Sequence, residues 1–355
     1  MGRDAKDGRQ GGLVTDEWGG YWTEVKLQVL KKYLAAFNLA SRRAGDTVYL
    51  DLFAGAVTHN RPDTGHAYAG SSALAMRTTP AFSRLVFWEL EGPAEQLRRD
   101  LEDTFPGDKR YTVVGGDCND HLDRGLEFVR SLRWAPTFAF IDPKGLDVAW
   151  QTLERLATWR RDARGRKVEL WILMPEPALS RVLGLQGVRG QSSASMLTRL
   201  YGCDDWVAIH QRRQRNEFTP EQTRAEFVNL LRWRLTSVLG YRTTHPLQLG
   251  NVHNQPVYTM VFATDVDAGE SIMRDVYSHA KVHEIPTLRS HAVGVRKAKQ
   301  DRERGIGRLF DPGGPAVAPE PYVYVEPWEP PSRLAGPVEL DAEPGPDTQT
   351  DVEDL

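Results

Sequence analysis

The segment Tyr49-Leu50-Asp51-Leu52-Phe53-Ala54-Gly55 predicts a buried strand that ends in a carboxylate and a tight glycine turn. A glycine at this point lets the backbone pass close to a ligand. In open parallel sheets, ligands bind outside the carboxyl ends of the strands. Asp51 is therefore a candidate acceptor for a ligand ammonium group, directly or through water. The alternative is that Asp51 caps a turn and Gly55 forms only a tight bend.

Short apolar runs alternate with helical stretches on both sides of this segment. A helix is predicted to begin near Tyr21, where leucines recur at three- and four-residue spacing. The predicted strands cover 47–53, 84–90, 111–117, 136–142, 168–174 and 257–264, and helices are predicted at 72–77, 94–104, 118–132, 149–160 and 269–279. Because the strands are apolar on both faces, the pattern indicates an α/β, Rossmann-like fold with a mostly parallel sheet covered by helices.

The rest of the chain divides by composition. We predict a flexible leader (1–18), a Rossmann-like cofactor-binding domain (19–179), a helical insertion (180–255), a final strand and helix completing that domain (256–295), a basic segment (296–310) and a tail (311–355). The tail holds 11 acidic residues, one basic residue and 10 of the 22 prolines. Such a segment buries too little apolar surface to fold, so we expect it to be disordered.

Composition limits the classes of function. No run of 18 apolar residues and no apolar leader is present, so neither a membrane span nor a secretory signal is expected. Two cysteines can form neither a disulfide framework nor a zinc site, which favours a cytoplasmic protein, and no His/Asp metal spacing is found. The net charge is −3, yet the chain before the acidic tail has 44 basic and 37 acidic residues. Basic runs at 212–215 and 296–304 are natural phosphate contacts, or simply solvated surfaces.

Two further strand ends carry groups suited to a nucleoside. Val86-Phe87-Trp88-Glu89-Leu90-Glu91 places a carboxylate at the end of the second strand, where an acid can accept hydrogen bonds from both ribose hydroxyls. Glu89 is preferred over Glu91, and the alternative is a solvated carboxylate at a helix start. In Gly115-Gly116-Asp117-Cys118-Asn119, a side chain can hold an adenine amino group, or Asp117 can simply cap the next helix.

The strand Phe138-Ala139-Phe140-Ile141 ends in Asp142-Pro143. The carboxylate of Asp142 and the carbonyl of Pro143 would offer two fixed acceptors that could orient an amine, although an ordinary turn is the alternative. Four strands that each end in such a group predict one shared pocket at the carboxyl edge of the sheet.

Several of these motifs together resemble class I methyltransferases and, more closely, the three-Cys-motif partner family of bacterial proteins. The matching motifs are Asp51-Leu52-Phe53-Ala54-Gly55, Gly70-Ser71, Glu89, Gly116-Asp117 and Phe140-Ile141-Asp142-Pro143. The first helix of that family is similar at Lys26, Leu30, Tyr33 and Leu34, and its late strand and helix at 258–264 and 269–273. The resemblance covers roughly residues 20–285.

The resemblance implies a class I methyltransferase fold, S-adenosylmethionine as cofactor and a partner protein with three motif cysteines. It implies that Asp51, Phe53, Ala54 and Gly55 line the methionine end of the cofactor, that Glu89 binds the ribose, that Asp117 and Cys118 lie at the adenine, and that Asp142 and Pro143 face the substrate. The leading hypothesis for the activity is methyl transfer from S-adenosylmethionine to a nucleophile, with nucleic acid as one candidate acceptor. A non-catalytic partner subunit and a nucleotide-handling enzyme such as a nuclease are the alternatives.

Two positions depart from the family pattern. Gly55 is followed by Ala56-Val57 where a second glycine is common. Asp142-Pro143 is followed by Lys144-Gly145, whereas amino-methyltransferases often carry a second proline and an aromatic residue there. Without that aromatic residue no stacking platform for a target base is evident, which weakens the case for a base as acceptor.

Overall fold

The computed structural model describes residues 21–60, 67–160, 162–176, 178–179, 187–304 and 318–331, so the predicted leader lies outside the described residues. The strands are β1 Val48–Asp51, β2 Thr58–Asn60, β3 Ala67–Ala69, β4 Arg84–Glu89, β5 Tyr111–Gly115, β6 Thr137–Ile141, β7 Glu169–Pro175, β8 Thr243–Gly250 and β9 Pro256–Thr264. The α-helices are α1 Tyr21–Ala40, α2 Ser71–Met76, α3 Glu91–Thr104, α4 Cys118–Phe128, α5 Trp150–Trp159, α6 Gly187–Tyr201, α7 Trp206–Gln214, α8 Pro220–Ser237, α9 Asp267–His279 and α10 Ile285–Glu303.

Seven strands form one sheet in the order β5-β4-β1-β6-β7-β9-β8. β1 is an interior strand that pairs in parallel with β4 and β6, and β9 runs antiparallel to both β7 and β8. The strands β2 and β3 form a separate hairpin in the connection that follows β1. This mostly parallel sheet confirms the predicted α/β, Rossmann-like fold, and every predicted strand overlaps an observed one.

Helices cover both faces of the sheet because its central strands are apolar on both sides. Val48 and Leu50 belong to one buried cluster and Tyr49 to the other. On the second face, α1 packs across the sheet: its Tyr33 ring lies 5.2 Å from the Phe138 ring. This packing fixes the orientation of α1 and leaves its amino-terminal half beside the carboxyl ends of the strands.

The structure differs from the predicted helical insertion over 180–255. Helices α6, α7 and α8 lie there as expected, but β8 also falls in this range and joins the sheet as its edge strand. β8 contains Pro246, which has no N–H group to donate. Proline is tolerated in an edge strand because only one side of that strand needs to pair.

The structure also differs in the last two predicted regions. Residues 296–303 of the predicted basic segment are the end of helix α10. Within the tail predicted to be disordered, residues 318–331 (the strap) form an extended segment that contacts α8 and β8: Trp328 exchanges hydrogen bonds with Asn229, and Tyr322 contacts His245. Partners far away in sequence hold the strap, which its composition does not reveal. Among the described helices, none is long and apolar enough to cross a membrane.

Candidate functional site

The loops that follow β1 and β4 are joined at the carboxyl edge of the sheet. The amide of Gly55 donates a hydrogen bond to Glu89 Oε2 at 2.8 Å, and the amide of Leu90 donates to Glu89 Oε1 at 2.9 Å. Gly55 has φ of 61°, a left-handed conformation that favours glycine, and open space lies where a Cβ would be. These two amides hold the half-exposed carboxylate of Glu89 at the carboxyl edge of the sheet. Both of its oxygens keep further lone pairs that a ligand could use.

Leu90 follows this carboxylate and is exposed on the surface. A base bound next to a sugar on Glu89 would find apolar surface there. Glu91, the alternative to Glu89, lies at the next loop instead: a Cβ on Gly115 would come within 2.6 Å of its carboxylate. Of the two acids, Glu89 is the one that the backbone of the β1 loop orients.

Asp51 is fully buried beneath these loops. Its carboxylate accepts hydrogen bonds from the Tyr49 hydroxyl at 3.0 Å and from the Phe53 amide at 3.3 Å. Burial raises the pKa of Asp51 to about 7, although hydrogen bonds from Ser71 and Tyr49 oppose the rise. Asp51 thus lies beneath the β1 loop and is bonded to its backbone, and contact with a ligand ammonium group, directly or through water, stays a prediction.

Asp117 caps helix α4, as the alternative interpretation of this motif expected. Its carboxylate accepts from the Asn119 amide at 2.8 Å and also from the Asn119 side chain at 2.7 Å. The Asn119 side chain also contacts the loop after β6, where its amide nitrogen donates to the Asp147 carbonyl at 2.8 Å. The Cys118 side chain packs into the core, and burial raises its pKa to about 12. A ligand at the start of α4 could therefore meet the backbone of Cys118 but not its thiol.

Asp142 forms an ion pair with Lys26, which reaches it from α1. The lysine side chain is 9% exposed and the aspartate side chain 21%. Lys26 Nζ also lies 5.4 Å from the centre of the Tyr258 ring on β9. Pro143 is buried directly behind the aspartate. The predicted acceptor carboxylate is thus present at the edge, and a cation already occupies one side of it.

The hairpin after β1 contributes a histidine to the same region. His59 stacks on Tyr68 at 5.5 Å, and a Cβ on Gly70 would come within 3.1 Å of His59 Nε2. Burial lowers the pKa of His59, the charge of Lys26 lowers it further and Asp142 opposes both. The burial and the charge of Lys26 favour the neutral imidazole, which lies close enough to the Lys26–Asp142 pair to respond to its charge.

The fold brings the predicted site residues to one edge. Hydrogen bonds connect the β1 loop to the end of β4, the end of β4 to the β5 loop through Gly116 N and Glu89 O at 3.0 Å, and the β5 loop to the β6 loop through Asn119. Phe53 is partly buried against the core and Ala54 is buried. Sequence reasoning did not assign a role in the site to Lys26. The available signal was a lysine within the apolar stripe of an amphipathic helix.

Comparisons with known proteins add little to this geometry. No family model and no curated protein matches the chain. Among solved structures, a Legionella pneumophila protein of the DUF519 family has a TM-score of 0.45 at 13% identity and covers 76% of this chain and 94% of its own. A Thermobifida fusca protein described as a proposed methyltransferase has a TM-score of 0.27 at 16% identity and covers 49% and 59%. These values are too low to support an argument about function.

Proposed function

We propose that this protein binds S-adenosylmethionine and is a methyltransferase. The observation that carries the proposal is the carboxylate of Glu89, which the amides of Gly55 and Leu90 fix at the carboxyl edge of the sheet. A carboxylate at the end of the second strand is the group that nucleoside-binding Rossmann folds use for ribose hydroxyls.

The residues of the edge fit an adenosine-bearing ligand. Glu89 would accept from the two ribose hydroxyls, Leu90 would cover one side of the base, and Asp117 with the backbone of Cys118 would lie at the adenine amino group. The open left-handed turn at Gly55 leaves room for the amino-acid end. When bound, S-adenosylmethionine supplies a methyl group on a sulfonium that is already a strong electrophile.

The contribution of the protein to such a transfer is chiefly positioning. Asp142 and the carbonyl of Pro143 would orient the acceptor nucleophile, and Asp142 would receive the proton that an amine loses. Lys26 holds this carboxylate in place through the ion pair and so restricts its rotamers. The acceptor must share the carboxylate with Lys26, which limits it to a group that approaches from the exposed side of Asp142.

The acceptor class and the partner are part of the same proposal. Nucleic acid is the acceptor that the basic character of the chain outside its acidic tail favours, because arginine and lysine side chains pair with phosphates. A protein with three motif cysteines is the partner implied by the resemblance of Lys26 and the strand-end motifs to the three-Cys-motif partner family.

One observation favours a second candidate, a cofactor-binding subunit that does not transfer the methyl group. Lys26 already neutralises Asp142, and Lys144-Gly145 stands where an aromatic platform for a base would be expected. In this alternative Glu89 still binds the cofactor and the partner protein supplies the acceptor site.

Transfer of labelled methyl groups separates the two candidates. Radiolabelled S-adenosylmethionine is incubated with nucleic acid, with and without the partner, using the wild type, Asp142→Ala and the exposed control Asp123→Ala. Label transfer by the wild type that Asp142→Ala loses and Asp123→Ala retains supports the methyltransferase. Cofactor binding without any transfer, with the partner present, supports the binding subunit. Transfer that Asp142→Ala leaves unchanged removes Asp142 from the mechanism.

A further inference from the structure

A second cavity lies at the opposite, amino-terminal edge of the sheet. Its volume is about 720 Å³, which is within the usual range of small-molecule sites. The start of β6 at Thr137, the start of β7 at Glu169 and the first turn of α9 form its floor, and the 3₁₀ turn Arg42–Ala44 and the loop after α5 form its rim. It shares no residue with the carboxyl-edge site.

Four arginines line this cavity, and two of them share the single carboxylate of Asp162. Arg160 donates to Asp162 Oδ2 at 3.0 Å, and Arg166 donates to the same oxygen at 2.5 Å. Arg43 and Arg164 are exposed, and their guanidinium groups form no ion pair with any residue in the described ranges. The rim therefore carries two uncompensated positive charges.

Arg160 adds a donor that has no partner. It is only 7% exposed, and although its two terminal nitrogens donate to backbone carbonyls and to Asp162, its Nε is buried without a hydrogen-bond partner. An unpaired buried donor is unfavourable, so a ligand acceptor that reached it would be favoured.

Glu169, the other acid that lines the cavity, is buried at its floor and does not lie at the rim with Arg43 and Arg164. Its carboxylate accepts from the Tyr33 and Thr264 hydroxyls at 2.6 and 2.7 Å, and burial raises its pKa. The first turn of α9, which also holds Asp267 and Glu270, starts beside it with no side-chain cap at Val266.

An aromatic side chain completes the site. Trp134 lines the cavity and is 44% exposed, which is unusual for so large an apolar group. Indole rings stack on nucleic-acid bases, and guanidinium groups bind phosphate through paired hydrogen bonds. We propose that this cavity binds a nucleoside phosphate, with the phosphate on Arg43 and Arg164 and the base on Trp134. The nucleotide is either free or part of a nucleic-acid strand.

Calorimetric titration with guanosine 5′-monophosphate at low salt tests the proposal, with guanosine and inorganic phosphate as partial ligands. We expect saturable binding that is at least about tenfold tighter than either part. The double variant Arg43→Ala/Arg164→Ala should lose about tenfold or more, and Trp134→Ala several-fold. The exposed control Arg99→Ala, on α3 outside the cavity, should bind like the wild type.

Two further titrations identify the source of the ligand and separate this site from the other. An oligonucleotide that binds tighter than the mononucleotide indicates a strand, and equal affinity indicates a free nucleotide. Glu89→Ala should leave binding of the mononucleotide to this cavity unchanged. The proposal for the cavity therefore does not depend on whether the carboxyl edge binds S-adenosylmethionine. Absence of saturation, inorganic phosphate binding as tightly as the nucleotide, or full affinity in the double arginine variant would each overturn the proposal.

Discussion

The amide of Gly55 donates a 2.8 Å hydrogen bond to Glu89, which joins the turn after β1 to the last residue of β4. The two residues are 34 positions apart in the chain. The contact exists because β1 and β4 are neighbours in the sheet with Asp51 opposite Phe87, so both strands end at nearly the same level. This hydrogen bond ties the two loops together at the carboxyl edge of the sheet. The Glu89 carboxylate lies between them, and its oxygens can accept further hydrogen bonds.

Glu89 and Glu91 are the two candidates for binding the ribose hydroxyls, and an alanine variant of each serves as the control for the other. Glu89→Ala should weaken S-adenosylhomocysteine binding by at least about tenfold, since a charged hydrogen-bond acceptor contributes about 1.5–3 kcal/mol. Glu91→Ala, two residues further on, should change affinity less than about threefold. Isothermal calorimetry of both variants measures the difference. The reverse order of the two effects would assign the ribose to Glu91.

The Lys26–Asp142 ion pair should be energetically coupled. Lys26→Met and Asp142→Asn each leave a largely buried partner unpaired, so each should lower the melting temperature, and the double variant should lower it by less than the sum. We expect a coupling energy of about 1–3 kcal/mol from urea unfolding. Additive effects would contradict this expectation, because they would mean that the two side chains are not energetically coupled.

The raised pKa of Asp51 leads us to expect that the free energy of unfolding depends on pH. Its pKa is raised to about 7 in the folded protein, against about 4 in an unfolded chain. The folded state therefore binds a proton that the unfolded state has lost, and this contribution falls as pH rises from about 4 to 7, by about 1.4 kcal/mol per pH unit. Urea unfolding of the wild type and Asp51→Asn measures it: the difference between them should change across this window. A constant difference would contradict the raised pKa.

The strap depends on Asn229. Its side chain donates to the Trp328 carbonyl at 2.8 Å and accepts from the Trp328 amide at 3.0 Å. Asn229→Ala should release the strap, lower the melting temperature and speed its cleavage in limited proteolysis. Glu226→Gln, which keeps an acceptor for the Trp328 indole, is the control and should be cleaved like the wild type. Equal cleavage of both variants would show that other contacts hold the strap.

The sequence predicted the strands of the sheet well because each central strand is a short apolar run with its own local signal. It did not predict β8, because Pro246 and the polar residues of this edge strand interrupt the apolar run that marks the other strands. The strap was also missed, since its order comes from partners such as Asn229, about 100 residues earlier in the chain, rather than from its own composition.

The candidate site was predicted in part for the same reason. Carboxylates at strand ends are visible in the sequence, so Glu89, Asp117 and Asp142 could be located. The burial of Asp51 and the ion pair between Lys26 and Asp142 depend on how α1 crosses the sheet, which no local pattern encodes.

Calorimetric titration of the wild-type chain with S-adenosylhomocysteine, alone and with the proposed three-Cys-motif protein, tests most directly whether the carboxyl edge is an adenosyl site. The account predicts saturable binding at one site per chain, with adenosine alone binding more weakly. No heat of binding under either condition, from protein that unfolds cooperatively, would contradict it.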